Sequence, residues 1–148
     1  MKLSLFCVLP SLLLAGCNRE NAAQNPIRTD VQPIEKRLPK LGKLESIWWT
    51  SSKVTKDSFP SPPEKPAYRI QGFLQLTMEK ANEFSEQFQW QKAPANWKPS
   101  LTVPNLDIGS GEWSQSDAFN KDCKPQQIPG DLYFERKKGI VYFDLEIE

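Results

Sequence analysis

The sequence predicts an α+β domain: an antiparallel sheet of four or five strands with one main helix packed on a face. Three stretches carry that prediction. Residues 67–76 and 140–147 alternate apolar and polar side chains with the period of a strand that buries one face. Residues 78–88 instead repeat their apolar side chains at helical spacing. Strands and a helix in that mixture, without the alternation of a βαβ protein, give a sheet with a helix across it.

Taken in order, the folded part is expected to begin at Leu44-Glu45-Ser46-Ile47-Trp48-Trp49-Thr50, aromatic and apolar enough for a strand. Trp48 and Trp49 must then point to opposite faces, one inward and one to a surface or groove. Lys53 to Pro66 carries Pro60, Pro62 and Pro63 and ends on a fourth proline, so it reads as a loop. In Ala67–Leu76, one face holds Tyr68, Ile70, Gly72, Leu74 and Leu76, and the other Arg69, Gln71, Phe73 and Gln75. Thr77 then suits the N-cap of a helix, and Glu79 suits its positive end. Met78, Ala81, Phe84 and Phe88 form the stripe that packs on the sheet, and the helix should end by Trp90, before Pro94.

Residues 91–130 are broken by Pro94, Pro99, Pro104, Pro125 and Pro129 and by Gly109, Gly111 and Gly130. Leu101–Val103 and Leu106–Ile108 are candidate short edge strands, and Glu112–Phe119 a candidate for one or two helical turns. The chain closes with a hairpin: Asp131–Glu135, a turn at Arg136-Lys137-Lys138-Gly139, and Ile140–Ile147. Val141, Phe143, Leu145 and Ile147 share one face of the last strand, and Tyr142, Asp144 and Glu146, with Ile140, share the other.

Ahead of the folded part, Lys2 precedes an apolar run from Leu3 to Leu14, followed by the small residues Ala15 and Gly16 and then Cys17. The order is that of a secretory signal. The run is about 12 residues, short of the roughly 20 that a membrane-spanning helix needs. Leu14-Ala15-Gly16-Cys17 resembles the lipobox of bacterial lipoproteins. The resemblance covers residues 1–17 only. It implies a diacylglyceryl group on the Cys17 sulfur, cleavage of residues 1–16, and further acylation of the new amine with chains such as palmitate. Two or three acyl chains anchor durably where one does not. In enterobacterial members an Asp after the cysteine favours the inner membrane. Asn18 here implies the outer membrane, with the domain facing the periplasm. Residues 17–43, polar and mixed in charge with Pro26, Pro33 and Pro39, read as lipidated cysteine plus flexible tether, and 44–148 as the single domain.

The chain carries 19 basic and 18 acidic residues, and Lys2 is the one charge lost with the signal. Such balance argues against nucleic acid as a partner and against polybasic attraction to anionic lipids. Cys7 leaves with the signal and Cys17 with the lipid, so Cys123 has no internal disulfide partner. Burial is the expected fate of such a cysteine, although Lys121 and Lys124 beside it would lower the thiol pKa if they lay close in space. Histidine is absent, which removes Ser-His-Asp and Cys-His catalysis and the commonest zinc ligand. No phosphate-binding glycine loop, dinucleotide fingerprint or calcium loop occurs, so no cofactor or metal is expected.

Two function classes remain. One is a non-enzymatic protein-binding domain, an accessory subunit of an envelope assembly or an inhibitor or immunity factor. Its candidate contact residues are Trp48, Trp49, Trp97 and Trp113, because tryptophan anchors interfaces. The other is a glycan-binding or glycan-hydrolysing lipoprotein using loop carboxylates (Glu45, Asp107, Glu112, Asp117, Asp122, Asp131) and tryptophans. No spacing singles out a carboxylate pair, and solvated surface charge is the expectation for these acids.

Overall fold

The computed structural model describes residues 25–54, 65–108 and 111–148. Cys17, the prolines at 60, 62 and 63, and Gly109 lie outside the described residues. The α+β class holds, with one antiparallel sheet. Its strands are β1 (Leu44–Val54), β2 (Ala67–Leu76), β3 (Gln91–Lys92), β4 (Trp113–Gln115), β5 (Gly130–Glu135) and β6 (Ile140–Ile147). They lie in the order β1-β2-β6-β5-β4-β3. The sheet therefore has six strands, not four or five. The additional β3–β4 pairing joins Gln91 to Gln115 and Lys92 to Ser114, a ladder too short to leave a period in the sequence.

The first face of the sheet is covered by helices. Ile47 and Trp49 of β1, Ile70 and Leu74 of β2, Leu132 and Phe134 of β5, and Val141, Phe143 and Leu145 of β6 form its floor. Helix α2 (Met78–Gln87) lays Ala81 and Phe84 on it, and α3 (Asp117–Cys123) adds Phe119 and Cys123. Thr77 caps α2 as expected, accepting a hydrogen bond from the Lys80 N–H at 3.2 Å. Met78 does not join the stripe. It is 51% exposed, because the first helical position lies where the chain turns out of β2.

The expected tether is in part folded. Residues 32–37 form α1 and Pro39–Leu41 a 3₁₀ turn, and Ile34, Leu38 and Leu41 are buried in the first-face core. Upstream, Arg28 and Trp49 exchange both backbone hydrogen bonds, at 2.7 and 2.9 Å, which seals part of the outer edge of β1. An open edge invites other chains, and this one is covered from within. The polarity of residues 18–43 hides three apolar anchors spaced at helical intervals.

The second face is covered by irregular chain. Trp48, Phe73, Tyr142, Ile140 and Trp113 project from the strands and meet Ala93 and Leu101, with Val103, Leu106 and Ile108 packed around them. Leu101–Val103 and Leu106–Ile108 form no strands; they are the lid of this second core. Residues 112–119 likewise divide differently, with β4 at Trp113–Gln115 and α3 starting at Asp117 behind its Ser116 cap. Trp48 and Trp49 do point to opposite faces, as an extended chain requires.

Candidate functional site

Between the segment 97–100 and the ends of β2, β6 and β5, the second core stops and leaves a cleft of about 420 Å³. Strand register brings its wall together. Gln71 lies opposite Asp144, Asp144 opposite Asp131, and Tyr142 opposite Tyr133, and side chains at these positions share the second face.

Its groups hold one another in place. Arg69 meets Asp144 with two arms, Nε at 2.7 Å from Oδ1 and a second nitrogen on Oδ2, the forked geometry that fixes both planes. This pair holds the Arg69 pKa above its usual value. Tyr142 Oη lies 2.9 Å from Ser100 Oγ and donates to Gln71 Oε1 at 3.2 Å, while Ser100 Oγ donates to the same Gln71 oxygen at 2.6 Å. The Ser100 backbone N–H also donates to Tyr142 Oη. Trp97 stacks on Tyr133 with ring centroids 3.8 Å apart. Burial pushes both Tyr142 and Tyr133 above the ordinary phenol range, and Asp131 and Asp144 push Tyr133 further. Both phenols are therefore neutral at physiological pH, able to donate and accept.

Gly130 at the rim is required by its backbone. Its φ is +114°, and a Cβ there would stand 2.0 Å from the Asp144 carbonyl oxygen. The close crossing of β5 and β6 that places Asp131 beside Asp144 depends on that missing side chain.

Of the four candidate tryptophans, only Trp97 lines this cleft. Trp49 and Trp113 are each 4% exposed and belong to the two cores; Trp49 is also fixed by its indole N–H donating to the Asp30 carbonyl at 3.1 Å. Trp48 is half-buried against the second core. The structure does not bring the four together. Among the loop carboxylates, Asp131 lines the cleft, whereas Asp122 pairs with Lys40 at 2.6 Å and Glu112 with Lys137 at 3.0 Å. Asp107 meets Lys138, and Asp117 sits in the first turn of α3. Arg69, Gln71, Ser100, Tyr133, Tyr142 and Asp144 were not singled out by the sequence. The signal was the polar face of β2 and β6, which period-two reading assigns to solvent.

A second hollow of about 530 Å³ lies near the β5–β6 turn, lined by Lys92, Arg136 and Lys137 with Glu112, Trp90 and Trp113. Its Lys137–Glu112 pair is 70% and 60% exposed, so these side chains fix no geometry. Cys123 is buried and free. Burial pushes its thiol to about 12, against the opposing pull of Lys40 and Lys80, so it is not an activated nucleophile. Among the described residues, no group of His, Cys, Asp and Glu is placed to hold a metal ion, and no helix is long and apolar enough to cross a membrane. Comparison with known proteins finds no family model, no curated protein and no solved structure that matches this chain.

Proposed function

We propose that the chain is a cell-envelope lipoprotein, anchored by a lipid on Cys17. Its folded part is a non-enzymatic module that binds a protein in the periplasm, as an accessory subunit or as an inhibitor or immunity factor. Asn18 favours the outer membrane for the anchor. The observation that carries the binding role is the pairing inside the cleft. Asp144 is engaged by both arms of Arg69, and Tyr142, Ser100 and Gln71 satisfy one another. Such a surface is rigid before it meets a ligand, which lowers the ordering cost of binding. A general acid or nucleophile would call for a side chain whose charge or proton is poised for transfer. Trp97 and Tyr133 add amphipathic aromatic area at the same place.

The test is capture from envelope extract by the full lipidated chain in detergent, compared with Trp97→Ala and Arg69→Ala. A protein retained in stoichiometric amount by the parent and lost from both variants supports this function. Retention of cell-wall glycan in its place would favour the saccharide alternative. Retention of the same protein by all three chains would remove the cleft as the contact.

A further inference from the structure

A third concavity, of about 220 Å³, lies on the opposite face of the sheet from the cleft, beside the outer edge of β1. Arg28, Arg37 and Pro33 form one side of it, and Tyr68, Ile70 and Ile147 the other. Tyr68 is one of two exposed large hydrophobic side chains among the described residues. No carboxylate lines the groove. Arg28 is met by Asp30 and lies over the Trp49 ring, 4.1 Å from its centroid. Among the described residues, Arg37 donates to the Pro33 carbonyl at 2.8 Å, one of the five N–H donors that a guanidinium carries.

Where the chain leaves the domain says what this groove faces. The Asn25 carbonyl accepts a hydrogen bond from Thr50 Oγ1 at 3.3 Å, and the Arg28–Trp49 bridge fixes the direction of the segment along β1. The N-terminal chain therefore exits at the end of the sheet where Val54 pairs with Ala67 and Tyr68 with Ile147. From Cys17 to Asn25 the chain spans at most about 29 Å, even fully extended. A domain of this size is roughly 35 Å across. A lipid on Cys17 thus keeps the near end of the sheet beside the bilayer and cannot let the domain stand inverted, with Met78 and the β5–β6 turn on the bilayer and the near end about 35 Å above it. At the near end the two faces differ in charge. The groove side carries Arg28, Arg37 and Lys53 with Asp30, while the cleft side sets Asp131, Asp144 and Glu146 against Arg69 and Lys98, so the groove is the more basic of the two.

We propose that this groove is a membrane contact, in which Arg37 receives the phosphate of a phospholipid headgroup in the leaflet holding the Cys17 lipid and Tyr68 lies at headgroup level. The proposal rests on the lipoprotein function above. Tyrosine is enriched at that depth, and basic side chains are drawn to anionic leaflets. The contact need not be strong, because a short leash holds the groove at an effective concentration of about millimolar. Docked in this way, the domain turns its cleft away from the bilayer, toward a periplasmic partner.

The test uses the full lipidated chain in vesicles of phosphatidylethanolamine and phosphatidylglycerol, with a polarity-sensitive dye on Lys53→Cys or on Met78→Cys. Buried Cys123 leaves those positions as the labelling sites. Lys53 lies cross-strand from Tyr68, and Met78 lies at the far end. The expected result is a blue shift and quenching by bromine-labelled lipid at position 53 and neither at position 78. Arg37→Gln and Tyr68→Ser should each abolish the signal at 53 while the protein still floats with the vesicles. Equal signals at the two positions on vesicle-bound protein would overturn the contact and leave the anchor standing. Protein that does not float with vesicles would overturn the lipid anchor, and the contact with it.

Discussion

Replacing Leu38 by alanine tests whether the domain begins before β1. Leu38 is 1% exposed and sits between α1 and the 3₁₀ turn, in one cluster with Ile34, Leu41 and the floor of the first face. The change removes three carbons from a closed site, about 2.4 kcal/mol at roughly 0.8 kcal/mol per carbon. A residual cavity brings buried Leu→Ala costs to about 2–5 kcal/mol. The assay is urea unfolding of the chain made with Cys17→Ser, so that it remains in solution. With a slope of about 1–3 kcal/mol per molar, a loss of about 3 kcal/mol lowers the midpoint by roughly 1–3 M. Lys36→Ala, at an exposed site on the same helix, is the control and should stay within about 0.5 kcal/mol of the parent. If Leu38→Ala matched Lys36→Ala, residues 25–43 would be a tether after all and the packing of α1 would be refuted.

Gly130→Ala should destabilise by more than about 2 kcal/mol in the same assay, since the new Cβ meets backbone at 2.0 Å and φ is +114°; a loss under about 0.5 kcal/mol would mean that β5 and β6 cross more loosely. Tyr142→Phe should cost about 1 kcal/mol, because Ser100 and Gln71 keep each other as partners, and amide exchange at Ser100 should quicken. Unchanged exchange there would mean that the phenol does not hold the loop. The thiol of Cys123 is raised to about 12 from an ordinary 9.0, so the unfolded chain loses its proton first as pH rises. Stability should therefore be full below about pH 9 and fall above it, by at most about 1.4 kcal/mol per pH unit. Cys123→Ala should lack that part of the slope; identical alkaline slopes in the two proteins would refute the buried neutral thiol.

Strands long enough to show a period were legible. Ala67–Leu76 and Ile140–Ile147 read from the sequence with the bounds the structure gives them, and their faces sort as alternation implies. Thr77 marked the start of α2 for the same local reason that it caps it. What failed to read was packing that repeats too few times. Ile34, Leu38 and Leu41 lie in a stretch whose charges dominate its composition, yet each is nearly inaccessible. The lid over the second face is built from Ala93, Leu101, Val103, Leu106 and Ile108, interrupted by prolines, so no secondary structure announces it.

The cleft was illegible for a related reason. Its lining comes from three separate stretches, at Arg69, 97–100 and 129–146, which only strand register and the packing of the lid make neighbours. Read alone, Arg69, Gln71 and Asp144 are polar positions on the outward face of amphipathic strands, and solvent is the ordinary partner of such positions. The two-sided core changes their meaning. Once the lid covers Phe73, Tyr142 and Trp113, the polar residues at the end of the same face become the edge of a wall rather than open surface. Tryptophan count pointed elsewhere because Trp49 and Trp113 fill the cores that hold the sheet in place. Aromatic abundance in a small domain reports first on how much core must be filled. The contact proposed at Trp97 rests instead on a ring that stacks on Tyr133 beside polar groups already fixed by their neighbours.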